Sequence, residues 1–268
     1  MILPYSYWYF ESAIPSSICD RITAIGQQKM EEQVAQYGEK SIEATTGDKK
    51  QKNSDFIENA KNKLSVGNFT SEGLRRKGLT ENDVYVRDTH VVFLDFPWLY
   101  ELIWEYVHAA NKAAGWNFEW DYTEEMQFTK YNVNQFYGWH ADASSQPYEK
   151  YNPNIDEQLC DANGKPMFDI FGNPIPKNPN LTLAEKTVGK IRKLSVTVSL
   201  NDPAEYKGGN LRFDFGPHFE GKRYHTCKEI RPKGSVIVFP SHIHHQVTPV
   251  TEGTRYSLVA WNLGLPWK

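Results

Sequence analysis

Cysteine is scarce in this 268-residue chain. The three present, at positions 19, 160 and 227, are too few for a disulfide framework and lack the spacing of a thiolate metal site. Charge of one sign is not in excess either: 30 Lys plus Arg stand against 33 Asp plus Glu, a formal net charge of -3. No global basic field is available to hold nucleic acid or an anionic membrane surface, so neither partner is expected. No apolar run approaches bilayer-spanning length. The opening MILPYSYWYF carries no basic n-region and no small-residue cleavage site. The expectation is a cytoplasmic protein, in which the N-x-[ST] matches at Asn68 and Asn180 are incidental. No repeat of solenoid period is present. Aromatic residues are plentiful, with 8 Trp, 15 Tyr and 14 Phe. A hydrophobic share of 40% is enough for a packed core and argues against disorder throughout.

Ile18, Ile22, Ile25 and Met30 sit near helical spacing, with Ser16 or Ser17 as the expected cap. Residues 39–80 form a polar insertion in which both signs of charge accumulate, and Arg75-Arg76-Lys77 reads as an exposed turn. Val84 to Leu94 is strand-like. Pro97 then opens an amphipathic helix, PWLYELIWEYVHAANKAAG, whose stripe runs through Leu99, Leu102, Ile103, Tyr106, Val107 and Ala110, with Gly115 suited to its C-terminus. His108, without a chemical neighbour in sequence, reads as a packing or surface residue. Strands are expected at 118–121, 126–132, 136–142, 191–200, 210–215, 224–230, 234–239, 245–250 and 254–263, a sandwich or barrel pattern. The Pro- and Asn-rich stretch 143–190 interrupts them as a long excursion, of the kind that forms lids or binding loops.

Three signals carry chemistry. Gly138-Trp139-His140-Ala141-Asp142 places an imidazole and a carboxylate two residues apart, on one face of a strand. About a hundred residues later, Ser241-His242-Ile243-His244-His245 follows the apolar strand Val236–Phe239. Two His and one carboxylate make the facial triad of non-haem Fe(II) sites, which leaves positions open for a chelating co-substrate and O2. In Gly253-Thr254-Arg255-Tyr256-Ser257, Arg255 and Ser257 share a strand face, and Arg is suited to bidentate capture of a carboxylate. Each piece alone has a bland reading: a chance dipeptide, a polar turn, a surface ion pair. Their order and strand context together favour the functional one. Tyr137, Trp139 and Trp261 are candidates for the substrate side, and Arg192 either reaches substrate or lies on the surface. Gly208-Gly209 is a turn rather than a phosphate loop.

In this order the motifs resemble the Fe(II)/2-oxoglutarate-dependent dioxygenases, and within them the prolyl 4-hydroxylase-like branch with its PKHD-type hydroxylases. The resemblance runs from about Phe93 onward through PWLYELIWEYVHAANKAAGWNF, QFTKYNVNQFYGWHADA, LSVTVSLNDPAEYKGGNLRF and KGSVIVFPSHIHHQVTPVTEGTRYSLVAWNLG. It implies a mainly β protein with flanking helices: a double-stranded β-helix core, jelly-roll or cupin-like, with an N-terminal helical buttress. One domain over 1–268 is expected, with 1–115 as helix-rich support and 116–268 as the core carrying the 143–190 insertion. It further implies His140, Asp142 and His245 as metal ligands, with His244 the alternative to His245 and His242 a turn residue. Tyr131, Arg255 and Ser257 would hold 2-oxoglutarate. Iron, 2-oxoglutarate and O2, with ascorbate as reductant, would hydroxylate an unactivated C–H with release of succinate and CO2. The carboxylate of Asp142 favours hydroxylation over halogenation. Peptidyl proline is the implied substrate. A free amino acid or other small molecule, and a cupin-like metal module without oxygenase activity, are the alternatives.

Overall fold

A computed structural model describes residues 5–46, 87–143, 146–152, 184–216 and 222–267, with isolated positions between 156 and 182. Along the chain run β1 (Trp8–Phe10), α1 (Ser16–Tyr37), β2 (Glu43–Thr46), β3 (Arg87–Leu94), α2 (Pro97–Ala113), β4 (Tyr122–Thr123), β5 (Met126–Tyr131), β6 (Phe136–His140), β7 (Glu149–Lys150), β8 (Leu181–Thr182), β9 (Ile191–Ser199), β10 (Tyr206–Gly208), β11 (Leu211–Asp214), β12 (Tyr224–Thr226), β13 (Val236–Pro240), β14 (His244–Val247), β15 (Val250–Gly253) and β16 (Arg255–Gly264). Twelve strands form one sheet in the order β1-β13-β9-β16-β5-β3-β6-β14-β11-β12, with β2 added to β3 and β4 to β16. Side chains from the β5-β16-β9 limb and from the β6-β14-β11 limb line one common pocket, so the sheet curls until the two limbs face each other. This is the expected double-stranded β-helix.

Helix α2 starts because Pro97 needs no N–H partner in the first turn. Its buried residues Leu99, Ile103, Val107 and Ala110 recur at helical spacing, and Gly115 leaves the helix at φ 68°. Helix α1 buries Cys19, Ile22, Gly26 and Met30 along one stripe. Neither Ser16 nor Ser17 caps it. Pro15 occupies the capping position, and the serines lie inside the first turn. Both helices pack on the outer face of the first limb, where Val196, Val198, Phe128, Leu258 and Ala260 complete the main apolar core. The buttress thus leaves the pocket face of that limb free for polar groups.

Several expected boundaries shift. Residues 118–121 form no strand; β4 follows at 122–123. The strand at 136–142 ends at His140, and that at 224–230 ends at Thr226, after which Cys227 and Ile230 turn into the core. β10 and β15 pair only with each other. In the 39–80 region, β2 pairs with β3. Val84, Asn68, Arg75-Arg76-Lys77 and Asn180 lie outside the described residues. The ends of the 143–190 excursion are tied together, Tyr148 N–H donating to the Lys190 carbonyl and Gly189 N–H to that of Tyr148. All three cysteines are free. Among the described residues no helix is long and apolar enough to cross a membrane.

Gly26 shows how closely α1 sits on the sheet. A Cβ added there would lie 2.4 Å from the Phe128 ring. Gly26→Ala should gain about 1 kcal/mol of helix propensity and lose about 1–3 kcal/mol to overpacking. A net loss of stability is therefore expected in urea unfolding, and a Gly26→Ala protein more stable than the wild type would contradict this packing.

Candidate metal centre and co-substrate pocket

The antiparallel pairing of β6 with β14 sets His140 directly opposite His245. The next pair is Tyr137 with Val247, so β6 spends three residues where β14 spends two. The extra residue is a β-bulge, and it returns Tyr137 to the same face as His140. The Tyr137 ring stacks on the His140 imidazole with centroids 3.5 Å apart and planes 10° from parallel. Each histidine Nδ1 meets a backbone carbonyl two residues earlier, His140 that of Gly138 at 2.8 Å and His245 that of Ile243 at 3.0 Å. A carbonyl only accepts, so both Nδ1 atoms carry the proton and both Nε2 atoms present lone pairs.

Asp142 lies beyond the end of β6, in a turn fastened by its N–H and that of Ala143 to the Ser241 carbonyl. Its Oδ1 is 3.5 Å from His140 Nε2 and its Oδ2 is 3.6 Å from His245 Nε2. Ligand atoms of all three residues lie within 4.8 Å of one another. The Ser195 hydroxyl donates to Asp142 Oδ2 at 2.7 Å, and Ser241 Oγ lies 2.9 Å from Ser195 Oγ. Burial would raise the Asp142 carboxyl, yet the His245 and His140 imidazoles outweigh it and hold the group well below the usual carboxylate range. Burial first, then His140, pushes His245 down to about 4 against the pull of Asp142. At neutral pH the pair is therefore an ionised carboxylate beside a neutral imidazole, the protonation states that ligate a divalent cation. Two nitrogens and one oxygen on one side of a pocket fit a metal with open positions. His244 points outward and is exposed, and His242 is exposed in the preceding turn.

Deeper in the same pocket lie Tyr131, Arg255 and Ser257. Arg255 is opposite Tyr131 in the β16–β5 register, its guanidinium 5.1 Å from the Tyr131 ring centre and its Nη1 donating to Ser257 Oγ at 3.2 Å. Arg255 is only 2% exposed, and among the described residues no carboxylate pairs with it. A buried cation without a counter-ion is costly, so the arrangement calls for an anionic ligand. Gly209, at φ 57°, makes room for it: a Cβ there would come within 2.9 Å of Arg255 Cδ. The pocket that holds Arg255 and the three metal-donor residues opens to solvent.

The outer wall holds Trp261, whose Nε1 is buried without an acceptor among the described residues. Arg192 lies flat over that indole at 4.0 Å and is held by Glu124 through Nε and Nη2, the latter at 2.5 Å. Sequence reasoning left Arg192 undecided; it stands at the pocket's edge. Trp139 does not line the pocket. It faces outward beside Tyr224 and Arg212, as alternation from the inward His140 requires, while the β6 bulge brings Tyr137 round to the histidine. His108 stacks on Trp120 at the surface. The Ser195–Ser241 pair, Glu124 and Gly209 carried no motif in the sequence. Only the strand parity of Ser195 pointed inward.

Fold and site together define a curled β-scaffold with a His-Asp-His donor set in the same pocket as a buried arginine. The profile of the 2OG-Fe(II) oxygenase superfamily matches residues 126–262, which include the triad and Arg255, and the chain belongs to that superfamily. A PKHD-type hydroxylase of Prochlorococcus marinus is 39% identical over 72 residues, 25% of this chain and 28% of the relative. Another, from Alteromonas mediterranea, is 27% identical over 134 residues, 50% of this chain and 41% of the relative. The chain thus spans well under two thirds of these relatives. The solved viral collagen prolyl hydroxylase of Paramecium Bursaria Chlorella virus-1, in its 2OG complex, superposes with a TM-score of 0.50 over 97% of both chains at 13% identity. That likeness concerns the fold.

The serine clamp on Asp142 is open to direct test. Ser195→Ala should weaken binding of Fe(II), or of Co(II) as its redox-stable stand-in, by about 10–100-fold in anaerobic calorimetry. An unchanged metal affinity would show that Asp142 is oriented without it.

Proposed function

We propose that the protein is a 2-oxoglutarate-dependent Fe(II) dioxygenase that hydroxylates an unactivated C–H bond, with a peptidyl proline as substrate and succinate and CO2 as by-products. The observation that carries the reading is the meeting, in one pocket, of the His140–Asp142–His245 donor set with the unpaired buried Arg255. In this reading the two Nε2 atoms and the Asp142 carboxylate hold Fe(II). Arg255 and Ser257, backed by Tyr131, take the far carboxylate of 2-oxoglutarate. When bound, the iron supplies O2 activation coupled to decarboxylation of the co-substrate. The chain's own groups orient both reactants and keep water from the reacting face.

The outer wall favours a polypeptide over a free amino acid. Arg192 is already neutralised by Glu124, so among the described residues this part of the wall offers no unpaired charge to a free carboxylate. The other polar atom of that wall, Trp261 Nε1, is neutral and buried, without an acceptor among the described residues. The names of the relatives, PKHD-type hydroxylases and a collagen prolyl hydroxylase, support the same choice.

Three measurements test this. With Fe(II), ascorbate and 2-oxoglutarate, succinate should form slowly alone and faster with proline-containing peptides; absence of both would end the oxygenase reading. His245→Ala should abolish iron binding, whereas the outward-facing His244→Ala retains it; the reverse pattern would reassign the ligand. Arg255→Gln should weaken 2-oxoglutarate by about 2–5 kcal/mol, as expected on truncating one member of a buried charge pair, and leave Co(II) affinity intact.

A further inference from the structure

Arg192 reaches the pocket-lining Trp261 only because β9 is irregular. Ser195 and Thr197 point toward the metal donors. Strict alternation would turn Lys193 to that face and Arg192 to the opposite, helix-covered one. In the β9–β16 pairing, Leu194 is opposite Asn262 and Arg192 is opposite Leu263, so Lys193 is an extra residue. This bulge reverses the parity and lays Arg192 over Trp261.

A polar chain, buried at Asn262 and Thr123 and reaching the exposed Trp104, ends at that bulge. Asn262 is fully buried on the helix side of the sheet, and its Nδ2 donates to the Leu194 carbonyl at 3.2 Å, at the residue next to the extra one. Its Oδ1 accepts from Thr123 Oγ1 at 2.8 Å, and that hydroxyl accepts from Trp104 Nε1 at 2.8 Å. An apolar core does not need such a chain for stability, since buried polar groups cost energy unless every one is satisfied. The adjacent residue acts on the other side of the sheet: Glu124 grips Arg192, and its N–H donates to the Trp261 carbonyl. One dipeptide therefore braces the irregularity from behind and its product from in front.

We propose that Thr123 and Asn262 are positioning residues: they hold the Lys193 bulge in place, and so set Arg192 and Trp261 as the wall against which substrate meets the metal. The kinetic side of this inference rests on the oxygenase reading; the structural side does not.

Thr123→Val removes the hydroxyl at nearly constant volume, and Thr123→Ser keeps it. Crystal structures of both decide the structural side. In the Val variant the Arg192–Glu124 pair should be lost or Arg192 displaced from the Trp261 face; in the Ser variant both should remain. An undisturbed Arg192 in a folded Thr123→Val protein overturns the proposal. Asn262→Leu is the second, harsher variant and should act in the same direction. The kinetic probe is poly-L-proline. The Val variant should raise its KM by about tenfold, the scale on which small misplacements act, while the KM for 2-oxoglutarate and the uncoupled succinate rate stay within about twofold. On an Arg192→Ala background the same Val change should add nothing, because both act through one group. Equal losses for both substrates, or full additivity, would mean a general structural role and sink the proposal. If the wild type shows no turnover, the oxygenase reading fails, and the crystallographic comparison still decides this one.

Discussion

The antiparallel register of β6 against β14 sets His140 opposite His245, and the remaining chemistry is arranged around that pair. A slip of one residue would exchange each histidine for a neighbour pointing the other way. His245 would give way to His244 or Gln246, both directed outward. The β6 bulge lies in this same pairing. It lets one short strand deliver both a ring-stacked tyrosine and a metal-facing imidazole to one side.

The pocket contains charges of both signs in separate places. Around Asp142 the carboxylate is ionised and the His245 imidazole beside it is neutral, a local negative centre closed off by two serine hydroxyls. Around Arg255 there is a buried positive centre, whose polar and ring contacts among the described residues are the Ser257 hydroxyl and the Tyr131 ring. A molecule with a metal-binding end and a carboxylate end fits both at once. This division also explains why a net charge of -3 reveals nothing about the ligand: the relevant charges are local and buried.

Features that follow from strict periodicity were legible in the sequence. Helix α2, the sequence of core strands, the two-residue spacing of His140 and Asp142 and the joint face of Arg255 and Ser257 all obey periods of 3.6 or 2. What escaped lies where a period breaks. Trp139, a candidate for the pocket side, points outward by alternation from His140, and Arg192 stays open in the sequence because it adjoins a bulge that no local pattern announces. Asp142 shares the site through a turn tied to Ser241, not through a continued strand. Ser195 reached the right face by parity, but its partner is 53 positions away in sequence, a distance no motif spans. The polar 39–80 stretch contributes β2 to the sheet edge, a pairing that its composition conceals.

β16 has a second consequence, for biosynthesis rather than catalysis. It lies between β9 and β5 and also carries β4, so it closes the first limb. During synthesis, Ser199 completes β9 well before Arg255 begins β16. At about 5–20 residues per second, that interval lasts on the order of several seconds. Throughout it, β5 and β9 each present an unfilled hydrogen-bonding edge toward the place β16 will take, and such edges pair readily with other chains. The strand that brings Arg255 and Trp261 to the pocket is thus also the one whose arrival ends the nascent chain's exposure to aggregation.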